Sequence, residues 1–183
     1  MEQFKSLMLE ELKTAFSSIK DEDIQGFIDE ISQARKIFLY GLGRERLMLQ
    51  AFAMRLMHLG LDVHVVGDVT TQRIQTGDLF ISSSGTGYLS TVEALLKIVK
   101  AENARVVFMT ASNESPLLQY VDQLVHIEAQ TMKDDIHKRT SPQPMGALFE
   151  QAQLLLFELI VVKLKEKLSV SEEAMEVYHT NLE

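Results

Sequence analysis

Five short apolar runs, each cut off by a turn or a polar stretch, constrain this chain more than any other feature. Lys36-Ile37-Phe38-Leu39-Tyr40 is stopped by Gly41-Leu42-Gly43, the way a buried parallel strand ends in a tight turn before a helix. Leu61–Gly67, Asp78–Ser82, Arg105–Met109 and Gln123–Ile127 repeat the pattern, with helical periodicity over 44–59, 88–101 and 148–164 and a short helix near Pro116. Strands that alternate with helices build a parallel sheet covered on both faces. Such crossovers are right-handed, so the expectation is an α/β three-layer sandwich around a five-stranded parallel sheet, with its ligand at the carboxyl ends of the strands. Residues 1–17 and 21–34 read as two amphipathic helices, the second capped by Asp21 or Asp23. A length of 183 residues suits one buried core. Residues 1–183 are therefore expected to form a single domain, with 1–34 packing on the sandwich or on partner subunits.

The chemistry open to this chain is narrowed by what it lacks. It has no Cys, which removes thiol nucleophiles, disulfides and thiolate metal sites. Its net charge of −8, without a Lys/Arg stripe interleaved with aromatics, argues against nucleic acid as a partner. No run of about 18 apolar residues occurs, and Met1 to Lys20 alternates charge with apolar residues, so neither a membrane span nor a secretory signal is expected. A cytoplasmic protein follows. The His and Asp residues are too scattered to suggest a metal, and no cofactor is expected. His64 alternates with Val63 and Val65 in a strand and reads as structural. His137 shares a long polar connection, Glu128 to Gln143, with Lys133, Asp134, Asp135, Lys138 and Arg139; the charged cluster reads as solvated surface, and the length of the connection suggests a loop with a functional task or one that packs on a partner subunit.

Two loops suit a phosphate group. Gly41-Leu42-Gly43-Arg44 lies where a strand meets a helix, so backbone can approach a ligand closely and the helix N-terminus offers free N–H donors. It lacks the third glycine of a dinucleotide fingerprint, which argues against a nicotinamide cofactor. Ser82-Ser83-Ser84-Gly85-Thr86-Gly87 again follows a strand and opens a helix, with Ser90 and Thr91 one turn on. A third feature is the loop Thr140 to Gln151, which feeds Glu150 into an otherwise apolar helix at the head of the row Leu154, Phe157, Val161. A carboxyl partly desolvated there would hold its proton more tightly, as a general base near neutral pH must. The alternative is an acid that complements the helix dipole and faces water.

Phe52-Ala53-Met54-Arg55-Leu56-Met57-His58-Leu59-Gly60, the two glycine and serine loops, Gln143-Pro144-Met145-Gly146 through Phe149-Glu150-Gln151, and the ending His179-Thr180-Asn181-Leu182-Glu183 together resemble the 6-phospho-3-hexuloisomerase branch of the sugar isomerase (SIS) domain family. The likeness runs from Lys36 to the end. It implies a flavodoxin-like sandwich, no metal, a homotetramer, and interconversion of 3-hexulose 6-phosphate and fructose 6-phosphate in the ribulose monophosphate route of formaldehyde fixation. On that likeness Glu150 is the base, and His58, or His179 from a tail that folds over a neighbouring subunit, moves the hydroxyl proton. The phosphate falls to Ser84 and Thr86 with Ser90, Thr91 and the Gly43 backbone, and Arg44 and Arg55 join the binding residues.

Two departures bear on the substrate. Glu45 stands where the family carries a hydroxyl residue, and where the family carries a threonine this chain has Leu89 or, in a shifted alignment on Ser82-Ser83-Ser84-Gly85, Gly87. A phosphate in the second loop requires Glu45 to turn away, most simply toward Arg44 or Arg46. The alternative reading is a sugar-phosphate binding or sensor protein, or an isomerase of a different phosphosugar.

Overall fold

In the computed structural model, which describes residues 1–134 and 141–182, five strands form one parallel sheet: β1 (Ile37–Tyr40), β2 (Val63–Val65), β3 (Leu79–Ser83), β4 (Arg105–Thr110) and β5 (Gln123–His126). Their order is β2-β1-β3-β4-β5, with Ile37 aligned to Val63 on one side and to Leu79 on the other. The chain runs outward from β1 to β2, returns to β3 and continues the other way. Helix α3 (Gly43–His58) after β1 and helix α4 (Ser90–Ala101) after β3 therefore leave to opposite faces, and a crevice opens between their starting loops. This is the sandwich expected from the strand–helix alternation.

Side-chain alternation along the strands divides the core in two. Ile37, Leu39, Leu79, Ile81, Val107, Met109 and Val125 face one way, under α1 (Glu2–Ser17), α2 (Asp21–Gln33), α3 and α5 (Ala147–Leu168). Phe38, Phe80, Val106 and Phe108 face the other, under α4 and a 3₁₀ turn at Pro116–Tyr120. Helix α5 is the hub of the larger core: Leu148, Phe149, Ala152, Leu156, Phe157, Ile160 and Leu164 are buried at helical spacing. Phe157 stacks on Phe52 with ring centres 4.2 Å apart, and Phe52 meets Phe27 edge-on at 6.0 Å. Helix α1 lies along α5, and α2 covers β5 and part of β4. His64 stacks on Phe38 and pairs with Asp62 at 3.0 Å, in keeping with a structural role.

Several local expectations are corrected. The residue before α2 is Lys20, with no side-chain cap; Asp21 and Asp23 sit inside the first turn, where the helix dipole favours acids. Strand β2 is trimmed to three residues because it is an edge with a single partner strand. Helix α5 runs on to Leu168, four residues past the apolar pattern, with Lys165 and Lys167 in its last turn. A sixth helix, α6 (Glu172–Val177), gives little apolar signal and is held by Ser171, whose side chain accepts from the Ala174 amide. His137, with Asp135, Lys138, Arg139 and Thr140, lies outside the described residues, as does Glu183. No described helix is long and apolar enough to cross a membrane.

Candidate active site

The crevice between β1 and β3 holds a pocket of about 420 Å³, room for a small sugar phosphate. Leu42 to Glu45 form one wall, Gly85, Thr86 and Leu89 a second, Thr131 and Met132 a third, and Pro144 to Gly146 with Phe149 and Glu150 a fourth. Three helices begin at this pocket, and the residues before them are Leu42, Leu89 and Gly146, none of which caps with a side chain. Three positive dipole ends thus converge on one cavity, and of the first-turn N–H groups the Ala147 amide is already given to the Pro144 carbonyl. Two glycines make the approach possible. Gly43 adopts φ +57° with open space around its Cα, and a Cβ on Gly85 would sit 3.0 Å from the Phe149 ring. Met145 takes a left-handed φ of 56° without being glycine, which marks a constrained turn beside Glu150.

Glu150 points into this space from the first turn of α5. Its side chain is 14% exposed, and Arg44 from α3 holds it at 2.9 Å. The second carboxyl is Glu45. The expectation that it turns toward Arg44 or Arg46 is overturned: Arg44 is engaged by Glu150, and Arg46 lies 3.8 Å from Asp68. Glu45 instead crosses the crevice to the end of β3 and the loop after it, where its Oε2 accepts from Ser83 Oγ at 2.5 Å and its Oε1 accepts from the Gly85 amide at 3.1 Å. Burial pushes the Glu45 carboxyl above its ordinary range; the bonds from Ser83 and Gly85 oppose this, and nearby Glu150 adds to it.

Of the site residues read from sequence, Gly43, Arg44, Thr86 and Glu150 meet in the pocket. Ser84 is buried beneath the loop, its amide donating to the Met109 carbonyl and its Oγ 3.4 Å from Thr86 Oγ1. Ser90 and Thr91 are exposed on the first turn of α4, outside the lining. Arg55 and His58 are toward the far end of α3, about 16 Å and about 21 Å along the helix from Arg44 by its rise of about 1.5 Å per residue. Arg55 faces Glu158 across a groove between α3, α5 and α6. His58 is buried and stacks at 5.5 Å on His179 of the tail, so within one chain the two histidines are together but away from Glu150. Leu42 and Ser83 lie in the two loops the sequence marked, without having been singled out there; Thr131, Met132 and Met145 were missed as lining residues, and the polar connection that carries Thr131 and Met132 offers no periodicity to read. Among the described residues no group of three His, Asp or Glu could hold a metal ion.

Comparison with known proteins adds a family. The SIS domain model matches residues 30–141. A 3-hexulose-6-phosphate isomerase of Bacillus subtilis is 33% identical over 181 residues, covering 99% of this chain and 98% of its own. A 3-hexulose-6-phosphate isomerase of Mycobacterium gastri is 36% identical over 97% of this chain and 89% of its own. A Methanococcus jannaschii protein, whose crystal structure infers the function of a 3-hexulose-6-phosphate isomerase, superposes with a TM-score of 0.84 at 27% identity over 100% of both chains.

Proposed function

The chain belongs to the SIS-domain family, and we propose that its pocket interconverts 3-hexulose 6-phosphate and fructose 6-phosphate through a cis-enediol. The observation that carries this reading is Glu150, a carboxylate aimed into a cavity where three helix N-termini meet. Glu150 takes the C2 proton of 3-hexulose 6-phosphate and returns it at C3. The carbonyl moves from C3 to C2 while a proton passes from the C2 hydroxyl to the C3 oxygen. One positioned base contributes ~10²–10⁴-fold, and the enediolate charge is met by Arg44 and the dipole ends of α3, α4 and α5. The phosphate binds at the turn after β3, at Thr86 and the donors of Ser83 and Gly85, with the Gly43 backbone beside it. This isomerisation belongs to the ribulose monophosphate route.

The hydroxyl proton is moved by His58 or His179 of a neighbouring subunit, because the pair lies a helix length from Glu150 of its own chain. That role needs an assembly. Leu47 and Met54 on α3, and Leu155 and Val162 on α5, are exposed at seven-residue spacing, a stripe suited to packing helices against a second copy in a homotetramer. Sedimentation that finds a monomer at micromolar concentration contradicts both the assembly and the histidine role. A cytoplasmic location fits the absence of cysteine.

The test is [2-¹³C]fructose 6-phosphate followed by NMR. Isomerisation converts the labelled carbonyl carbon into a carbinol carbon as 3-hexulose 6-phosphate forms. A folded protein that leaves the label unchanged refutes the reading. The Glu45 carboxylate bonded to Ser83 and Gly85 favours a second reading, a protein that binds the phosphosugar without turning it over; binding with no movement of the label would establish it.

A further inference from the structure

Glu45 occupies the very donors that an anionic ligand would use. Its carboxylate spans from the first turn of α3 to the end of β3 and the loop after it, taking the Ser83 hydroxyl and the Gly85 amide, the latter within 3.1 and 3.3 Å of its two oxygens. An acid at the third position of a helix ordinarily serves its own N-terminus. This one is given to the neighbouring loop. The groups around it leave little to offset a second anion. Glu150 faces it from α5, Arg44 on its own helix is paired with Glu150, and Arg46 is turned to Asp68 and the Val66 carbonyl. Lys133 of the connection after β5 lies at the rim with its Nζ 3.5 Å from the Tyr88 carbonyl, and the titratable side chain of the β3–α4 loop (residues 84–89), Tyr88, is exposed and donates its hydroxyl to Glu93 of α4. Leu89 adds no donor at the start of α4.

We propose that Glu45 is the specificity-determining residue of this site: its carboxylate is an internal stand-in for the ligand's anion, and a phosphate ester binds by displacing it from Ser83 and Gly85. The inference rests on the reading of the pocket as a phosphosugar site. Displacement has two costs, the lost bonds to Ser83 and Gly85 and the repulsion between the carboxylate and the arriving phosphate. Both fall when Glu45 is protonated, and burial of the carboxyl raises its proton affinity above the ordinary one. The site therefore prefers ligands carrying less negative charge than an undisturbed glycine and serine cradle would accept.

Calorimetric titration of fructose 6-phosphate, and separately of inorganic phosphate, into the wild type, Glu45→Ser and Glu45→Gln at acidic and alkaline pH tests this. At alkaline pH Glu45→Ser binds both probes about tenfold tighter or better, Glu45→Gln falls between, and the gap from wild type narrows at acidic pH. The serine variant also serves as the control for the phosphate's own second ionisation. Equal affinity of wild type and Glu45→Ser for both probes at both pH values overturns the inference, as does weaker binding by the serine variant. If inorganic phosphate tightens as stated while fructose 6-phosphate is bound by none of the three, Glu45 holds the assigned role and the phosphosugar reading is what fails.

Discussion

Replacing Glu150 by Gln takes away a proton acceptor and leaves size, shape and most packing in place. The structure sets the expected stability cost. Arg44, the partner at 2.9 Å, has a side chain 56% exposed, so the abandoned cation stays solvated, and a pair with one wet member is worth about 0–1 kcal/mol. Loss of the acid from the first turn of α5 adds about 0.3–1 kcal/mol. Total destabilisation should stay below about 2 kcal/mol. Turnover should behave differently. Without the base, kcat falls by ~10²–10⁴, equivalent to roughly 2.7–5.5 kcal/mol of barrier at about 1.36 kcal/mol per decade. Urea unfolding followed by circular dichroism, set beside kcat from the ¹³C assay, separates the two costs. A variant that folds normally and keeps near-wild-type kcat refutes Glu150 as the base. A loss of several kcal/mol in stability with kcat preserved would make it a structural acid.

Three further outcomes follow from the geometry. Gly85→Ala places a Cβ 3.0 Å from the ring of Phe149, which is 1% exposed, so overpacking should cost about 1–3 kcal/mol and lower kcat by shifting the neighbouring Glu150; unfolding within ~0.5 kcal/mol of wild type would contradict it. Phe157→Ala removes the ring stacked on Phe52 and should cost about 3–5 kcal/mol in denaturant unfolding, a value below about 1 kcal/mol showing that the core collapses to fill the gap. The third concerns pH. Folded Glu45 holds its proton to higher pH than the unfolded chain, whose ordinary value is 4.5, so its effect on stability is most favourable below that value and is lost as pH rises through the folded one. Glu45→Gln lacks this decline, and its stability relative to wild type should grow from pH ~4.5 upward; a constant difference across that range would argue against a buried, strained acid.

The sheet was legible because its central strands β1, β3 and β4 are largely apolar runs, and a buried parallel strand needs no alternation to be recognised. The switch point was legible for a related reason: Gly41-Leu42-Gly43 and Ser84-Gly85-Thr86-Gly87 each follow a strand and open a helix. What sequence could not supply was the direction of side chains that cross between elements. Glu45 sits at a position where local rules send an acid to its own helix or to a nearby Arg, and its destination depends on the register that sets Leu39 beside Ile81 and brings the two loops together. Ser84 was the expected ligand and Ser83 is the residue bonded to the carboxylate, because alternation along β3 and its continuation decides which hydroxyl faces the crevice. Arg55 and His58 share a face of α3, as their spacing requires, yet a helix of 16 residues carries them out of reach of its own N-terminus.

The central claim is proton transfer between C2 and C3 by a base in this pocket, and the measurement closest to it is incubation of fructose 6-phosphate with the protein in D₂O, reading the position of deuterium by NMR. Abstraction at C3 gives the C2–C3 enediol, so the account predicts deuterium at C3 for the wild type and its near-complete loss in Glu150→Gln. Deuterium at C1 would mean a ketose–aldose isomerase of a different phosphosugar. No deuterium at either carbon, with the protein folded, would contradict the claim that the pocket catalyses isomerisation.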